Sequence, residues 1–340
     1  MQNPQISVVI PCFNEEKTIT ALLEAIRTQT IGPETLEVLI SDGFSTDNTR
    51  HIIQDYAAAH PELAIHVLDN EKRIIPAGLN QAIRAAKGEI IVRMDAHTLP
   101  AADYIARSVE ALRAGHGDNV GGVIDIKPGR DSRIARSIAV ATAHPLGVGD
   151  AKYRWATKAG YADTVAFGCY YKATVEKVGY YNEALAINED YEFNARLRAL
   201  GMKIWVDPAI RAVYFSRPDL ASLARQYYLY GFWKLKMLRL YPQTLRWRQA
   251  LPPLFVFVVL MLLLSSILWS PLILLLAAVL LLYVLLLVAG AVKPANTQKN
   301  AALLLGVPLA IMTMHFSWGT GFWMSLFQPG KRKNSRLWNH

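Results

Sequence analysis

The sequence predicts an α/β domain followed by C-terminal membrane helices, and three observations carry that reading. Over the first two thirds of the chain, short β-branched apolar runs alternate with amphipathic stretches of helical period, the rhythm of βαβ units. Several of those runs end on acids or other polar groups. Acid then disappears from the chain after Asp219: residues 1–219 hold all 27 Asp and Glu against 24 Lys and Arg, whereas 220–340 carry 12 Lys and Arg. The net charge of +9 over 340 residues therefore belongs to a basic, very apolar tail joined to a nearly neutral globular part.

A basic balance can signal nucleic acid, but here the cations flank long apolar runs. That pattern predicts an anionic membrane surface as partner and no nucleic acid. The two cysteines, Cys12 and Cys169, have neither metal-ligand spacing nor the look of a disulfide framework, which fits a reducing compartment. The opening residues Met1-Gln2-Asn3-Pro4-Gln5 lack a basic segment and an apolar one, so no signal peptide is expected.

Residues 6–11 (Ile-Ser-Val-Val-Ile-Pro) read as a buried parallel strand, short and almost wholly apolar. It exits into Cys12-Phe13-Asn14-Glu15-Glu16, and a helix follows with Thr18 as cap and Ile19, Leu22, Leu23 and Ile26 on one face. A second strand over 36–40 delivers Ser41-Asp42-Gly43-Phe44-Ser45-Thr46-Asp47. Ser45 to Asn48 suit a turn and helix cap, and Asp47 is assigned that structural part. Asp42 differs: it ends one buried strand beside the exit of another bearing Asn14 and Glu15. Adjacent strand ends with acids make a crevice, where a carboxylate can accept hydrogen bonds from a nucleobase imide or a ribose hydroxyl. No Gly-x-Gly-x-x-Gly follows the first strand and no Gly-x-x-x-x-Gly-Lys-Ser/Thr occurs, so dinucleotide and P-loop readings lack their phosphate cradle.

A third strand over 65–68 leads through a polar loop to a helix over 77–86, with Gly88 as its C-cap. Lys72 and Arg73 lie on that loop, either as solvated charges or as cations for a diphosphate. The next strand runs from Gly88 into Arg93-Met94-Asp95-Ala96-His97. A carboxylate and, two residues on, an imidazole then emerge together at a strand's carboxyl end, where an open α/β sheet binds its ligand. Asp95 and His97 are the candidate ligands of a divalent metal, Mn²⁺ or Mg²⁺, holding a nucleotide's phosphates. Further on, 120–125 reads as a strand, Tyr153-Arg154-Trp155 as a loop able to bind sugar or phosphate, and Asn188-Glu189-Asp190-Tyr191-Glu192 as the capped start of an amphipathic helix. Acids favour a helix N-terminus, but that explains their tolerance rather than three of them within four residues.

Val9-Ile10-Pro11-x-Phe13-Asn14-Glu15, Asp42-Gly43-x-Ser45-Thr46-Asp47, Gly78-x-x-x-Ala82 before Gly88-Glu89, and Asp95-x-His97 together resemble the family 2 inverting glycosyltransferases of the A-type fold, over residues 5–215. Arg93-Met94-Asp95-Ala96-His97 further resembles the subgroup of succinoglycan and exopolysaccharide-biosynthesis glucosyltransferases. The resemblance implies a Rossmann-like nucleotide-sugar domain with the mixed sheet of the GT-A type. It implies that Pro11, Phe13, Glu15, Asp42, Lys72, Arg73 and Asp95 bind the nucleotide sugar, and that Asp190, the Asp of the family's Glu-Asp pair, is the general base. The sequence departs from the family's Asp-x-Asp at His97, and imidazole suits Mn²⁺ better than Mg²⁺. The implied activity is inverting transfer of one sugar from a UDP-linked hexose to a polyprenyl-diphosphate-linked saccharide. A polyprenyl-phosphate sugar synthase and a non-catalytic nucleotide-sugar-binding scaffold are the alternatives.

Residues 220–250 interleave Tyr227, Tyr228, Tyr230, Phe232, Trp233, Tyr241 and Trp247 with Arg225, Lys234, Lys236, Arg239, Arg246 and Arg248, as expected of a helix lying on a bilayer. Within 251–340, 254–268 is short for a span and 272–292 ample, with a turn at Trp269-Ser270-Pro271. The stretch 301–327 is interrupted by Gly306, Pro308, Gly319 and Gly321 and followed by Lys331-Arg332-Lys333, so it is expected to be re-entrant or interfacial. The expected organisation is a catalytic domain over 1–219, an interfacial segment over 220–250 and a membrane region of two to three helices over 251–340. The expected location is the cytoplasmic membrane, with the catalytic domain on its cytosolic face.

Overall fold

The computed structural model describes residues 4–327. They form two compact units, one of residues 4–125 and 151–214, the other of 126–150 and 215–327.

The first unit opens with β1 (Ile6–Cys12), α1 (Ile19–Arg27), β2 (Leu36–Asp42), α2 (Thr49–Ala59), β3 (Ala64–Asp69), α3 (Ile75–Ala85) and β4 (Ile90–Arg93). Every residue of β1, β2 and β4 is buried, which is why these strands read as unbroken apolar runs instead of alternating ones. β5 (Thr98–Pro100), α4 (Tyr104–Arg113) and β6 (Asn119–Lys127) follow. In the helical unit, α5 (Arg133–Ala141) and α6 (Pro145–Val148) come next, and the chain then returns through β7 (Gly160–Tyr161), β8 (Cys169–Tyr171), α7 (Lys172–Val178), α8 (Glu189–Ala199) and β9 (Ile204–Phe215). The sheet order is β3-β2-β1-β4-β8-β6-β9-β5, with β7 on β9. β3, β2, β1 and β4 are parallel, while β8 runs antiparallel to β4 and to β6, and β5 and β7 run antiparallel to β9. The mixed sheet has the predicted α/β character.

Register levels the functional strand ends. Cys12 stands opposite Asp42, Asp42 opposite Asp69, and Val9 opposite Arg93, so β4 leaves the sheet just below the exits of β1 and β2. A core of Val9, Leu39 and Ile91 from the strands, Leu79 and Ile83 from α3, Tyr170 from β8, and Phe193 and Leu197 from α8 packs beneath them.

Two local expectations fail. Thr18 precedes α1 but makes no cap bond; its hydroxyl donates to the Glu15 carboxylate at 2.6 Å instead. Gly88 is not a C-cap, since α3 ends at Ala86 with φ −59°. It is glycine for lack of room, because a Cβ would lie 2.8 Å from Ile6 C and Ser7 N. The buried Glu37 carboxylate gathers Ser7 Oγ and the amides of Lys87 and Gly88 there, fixing the entry into β4.

In the helical unit α9 (Leu220–Leu240), α10 (Trp247–Leu268), α11 (Leu272–Thr297) and α12 (Leu303–Met324) pack with α5. α10, α11 and α12 are each long and apolar enough to cross a membrane. α10 begins seven residues before the predicted 254 and so reaches 22 residues, a full span. α12 is one unbroken helix of 22 residues, which overturns the re-entrant form of the expectation for 301–327. Lys331 to Lys333 lie outside the described residues. The picture of six lipid-facing cations in 220–250 also needs correction. Lys234 is buried and donates to Thr244 O at 3.2 Å, Arg246 bonds Asp150 at 3.4 Å, and Arg248 bonds the other oxygen of the same carboxylate.

Candidate active site

The loops that leave β1 and β2 are stitched together by backbone donors and side-chain acceptors. Asn14 N donates to Ser45 Oγ and Thr46 N to Asn14 Oδ1, both at 2.8 Å, while Glu15 N donates to Thr49 Oγ1 at 2.8 Å and Glu16 N to Asp47 Oδ2 at 3.3 Å. Asn14 and Phe44 sit at φ +54° and +62°, a region Asn tolerates and Phe seldom enters. Asp47 has the structural part expected of it.

Asp42 is wholly buried, and its oxygens accept from Ser45 N at 3.0 Å, Ser45 Oγ at 2.5 Å and Arg50 Nε at 2.5 Å. A carboxylate accepts about four hydrogen bonds, so about one place remains for a ligand. Arg50 also bonds Asp69, and its guanidinium lies 5.4 Å from the Phe44 ring centre, with that of Arg73 at 5.1 Å. Pro11 is paired with Ser41 in the sheet, and Phe13 borders Gly43, where a Cβ would meet its ring at 3.5 Å. Lys72 does not join this group: its amine bonds Glu183 at 2.5 Å, and Glu183 also accepts from Asn80 at 3.0 Å.

At the end of β4 the structure brings Glu15, Asp95 and His97 together. His97 Nδ1 lies 3.0 Å from Glu15 Oε1, and its ring is 5.4 Å from that of Tyr214, over which Arg154 stands at 5.9 Å. Arg154, from the Tyr153-Arg154-Trp155 loop, thus reaches the same neighbourhood. Burial alone would lower the His97 pKa, but the Glu15 carboxylate outweighs it, with Tyr214 and Asp95 adding to the effect, and raises it to about 9.

Among the described residues no three His, Cys, Asp or Glu side chains converge as a metal cage. The donor set suits an ion carried by a diphosphate: one carboxylate, and one imidazole whose Nδ1 faces a carboxylate, as metal-bound histidines usually are. With the imidazole proton held to about pH 9, metal binding at Nε2 would release a proton.

Asp190 follows Glu189 in the first turn of α8. Burial raises the pKa of both; the Arg93 guanidinium opposes this without cancelling it, and Glu189 stands at about 7. Arg93 is the residue that sequence reasoning passed over. It is 4% exposed, and its Nη2 donates to Glu189 Oε1 at 2.9 Å and to Asp95 Oδ1 at 3.3 Å. The signal was present, because an arginine in an otherwise apolar strand persists only where acids meet it.

Residues 7–174 match the family model described as glycosyl transferase family 2. Over 327 residues, 96% of each chain, the sequence is 31% identical to the succinoglycan biosynthesis protein ExoA of Rhizobium meliloti (strain 1021). The chain belongs to glycosyl transferase family 2. A second family relative, the dolichyl N-acetyl-alpha-D-glucosaminyl phosphate 3-beta-D-2,3-diacetamido-2,3-dideoxy-beta-D-glucuronosyltransferase of Methanococcus voltae, is 31% identical over 69% of this chain and 74% of its own. Among solved structures, the mannosyltransferase PcManGT from Pyrobaculum calidifontis, in complex with GDP-Man and Mn²⁺, matches with a TM-score of 0.62 at 21% identity, over 94% of this chain and 88% of that one. S. aureus TarS 1-349 in complex with UDP-GlcNAc matches at 0.50 and 20%, over 69% and 66%. These likenesses establish the GT-A-type mixed sheet, and with the family they make the chain a glycosyltransferase with three C-terminal helices able to span a membrane.

Proposed function

We propose that this transferase moves one sugar, with inversion at the anomeric carbon, from a UDP-linked hexose to a saccharide on polyprenyl diphosphate, in exopolysaccharide or cell-surface glycan assembly. The observation that carries the reading is the pair of bonds from Arg93 Nη2. They set the first turn of α8, with Asp190, beside the carboxylate that ends β4. A transfer with inversion needs a base near the anchor of the leaving diphosphate but acting on the opposite face of the sugar.

Pro11, Phe13, Glu15 and Asp42 form the nucleoside end, and Arg73, Asp95 and His97 the diphosphate end. Lys72 joins them by leaving Glu183. Asp95 and His97 hold the metal, which, when bound, stabilises the charge of the departing diphosphate. An Asp190 oxygen takes the proton from the acceptor hydroxyl as its oxygen bonds the anomeric carbon and the bond to the diphosphate breaks. The catalytic part is residues 1–219, with 220–250 at the membrane interface and 251–340 within the membrane. The catalytic part faces the cytosol across the cytoplasmic membrane, because Arg246, Arg248, Lys293 and Lys299 flank α10 and α11 on one side of the hairpin. Relatives named for succinoglycan biosynthesis and for transfer to a dolichyl-linked sugar support a lipid-linked acceptor.

A thermal-shift series in detergent with UDP, GDP and dTDP, each with Mn²⁺, Mg²⁺ or EDTA, tests the donor site. The expected result is a shift with UDP that is larger with Mn²⁺ than with Mg²⁺ and is lost in Asp95→Ala. In membranes, labelled sugar should enter a lipid-linked saccharide, and Asp190→Asn should slow this by about 10²–10⁴-fold while keeping the UDP shift. No shift with any nucleotide overturns the reading. A product that mild acid converts to free monosaccharide points instead to transfer onto polyprenyl phosphate itself.

A further inference from the structure

Arg93 closes β4 with a guanidinium in the core, where a charge is tolerated only beside partners. One of its nitrogens meets both acids, at 2.9 Å for Glu189 and 3.3 Å for Asp95. Its Nε and Nη1 are buried with no hydrogen-bond partner among the described residues, and the guanidinium carbon stands 5.8 Å from the Tyr181 ring centre. Replacing a buried ion pair with apolar side chains is often neutral or stabilising. Stability alone is therefore a poor reason for an arginine here.

The first turn of α8 carries Glu189 and Asp190. Asn188, at its N-cap, adopts φ +67° and makes no side-chain cap bond. The far side of the helix is held separately, since Arg196 donates to Val178 O at 2.6 Å and to Tyr180 O at 2.5 Å. At the reactive end Arg93 holds Glu189. We infer that Arg93 is a positioning residue, which through Glu189 fixes the turn bearing Asp190 relative to Asp95, so that the acceptor-side base and the donor-side carboxylate hold one geometry. Lysine cannot substitute, because a point charge on a flexible stem lacks the planar fork that sets direction as well as charge. The inference rests on the roles proposed above for Asp95 and Asp190.

The test is steady-state sugar transfer at saturating donor for Arg93→Lys, Glu189→Gln, the double variant and Asp190→Asn. Each protein is also titrated calorimetrically with Mn²⁺ and whichever of UDP and GDP the thermal-shift series selects. Arg93→Lys should lose about 100-fold in kcat, the scale of a 1 Å misplacement, with donor KM, nucleotide affinity and Tm retained. Glu189→Gln should lose kcat likewise, and the double variant should be no worse than the poorer single, as for residues acting in one line. Multiplied losses in the double variant overturn the inference. Wild-type kcat in Arg93→Lys while Asp190→Asn is inactive overturns it and leaves the proposed function standing. Full activity in Asp190→Asn removes the proposed base and this inference with it. Should Arg93→Lys fail to fold, wild-type kcat in Glu189→Gln is sufficient to overturn it.

Discussion

Asp190, the proposed base, would have to be ionised to work, and it sits where ionisation is resisted. Burial raises both Asp190 and Glu189, Arg93 pulls both back, and Asp95 and Tyr181 lie among the charges and ionisable groups around them. Protonation would abolish the proposed base, so transfer should be lost as pH falls through a value raised above the ~4 of an ordinary carboxylate. The acid limb of kcat/KM should therefore lie above the ordinary carboxylate range, and it belongs to the pair. Glu189→Gln removes the like charge and should move that limb to lower pH. A limb near pH 4 in the parent, or no movement in the variant, would count against Asp190 as base. Asp42, Asp95, His97 and Asp190 could be singled out in the sequence because each stands where an element starts or stops. Arg93 and Arg50 could not be read so easily, since each acts through acids far away in the chain: Glu189 is 96 residues from Arg93, and Asp69 is 19 from Arg50.

Between elements, glycine sets the distance. In the helical unit a Cβ on Gly231 would meet Trp318 O at 2.0 Å, and one on Gly321 would meet Tyr228 O at 2.0 Å, so α9 and α12 touch backbone to backbone. Gly306 faces Ser137 of α5 at 2.1 Å, and Gly319 faces Pro252 O of α10 at 2.8 Å. Such close approaches are how helices associate where water does not drive them together. Gly231→Ala should force the pair apart at a cost of about 1–3 kcal/mol, the range for overpacking. The drop should be visible as a lower Tm in detergent, whereas Gly115→Ala, at a glycine with open space around it, should cost only the strain of its φ of +72°. Equal Tm for Gly231→Ala and the parent would mean that the contact yields freely. The same glycines explain why the third stretch could be read as re-entrant. Gly306, Gly319 and Gly321 look like breaks in a helix when the sequence is read alone, because a contact point and a hinge have the same composition. The strands were legible for the opposite reason: full burial on both faces leaves an unbroken β-branched run and nothing else to explain it.

Across the whole helical unit, the path of α12 decides how many times the chain crosses the membrane. α10 and α11 are joined by a turn at residues 269–271, so the start of α10 and the end of α11 lie on one side of the bilayer. α12 begins beside the end of α11, with Leu303 and Val307 packed in one cluster with Ala291 and Ala295. Midway, His315 bonds Tyr283 at 3.0 Å, and Phe316 lies 5.8 Å from Phe255. It finishes beside the start of α10, where Trp318 Nε1 donates to Gln249 O at 3.2 Å, Trp323 Nε1 donates to Pro253 O at 2.8 Å, and the Trp323 ring lies 5.5 Å from Phe257. Residues 249–257 fall within about 15 Å of the α10 N-terminus, at 1.5 Å per residue. Both ends of α12 are therefore on the side where α10 starts, although its 22 residues, about 33 Å, would suffice for a span. The expected topology is two crossings with an oblique, interfacial α12 whose two ends lie on the side of Arg246 and Lys293, in keeping with the bias of cations to the cytosolic side. In right-side-out vesicles an impermeant maleimide should label Ser270→Cys directly and Phe327→Cys, exposed just past the end of α12, only after permeabilisation, against a low background because Cys12 and Cys169 are buried. Labelling of Phe327→Cys in intact vesicles would mean that α12 crosses, and that its contacts with the first turns of α10 are not made in the membrane.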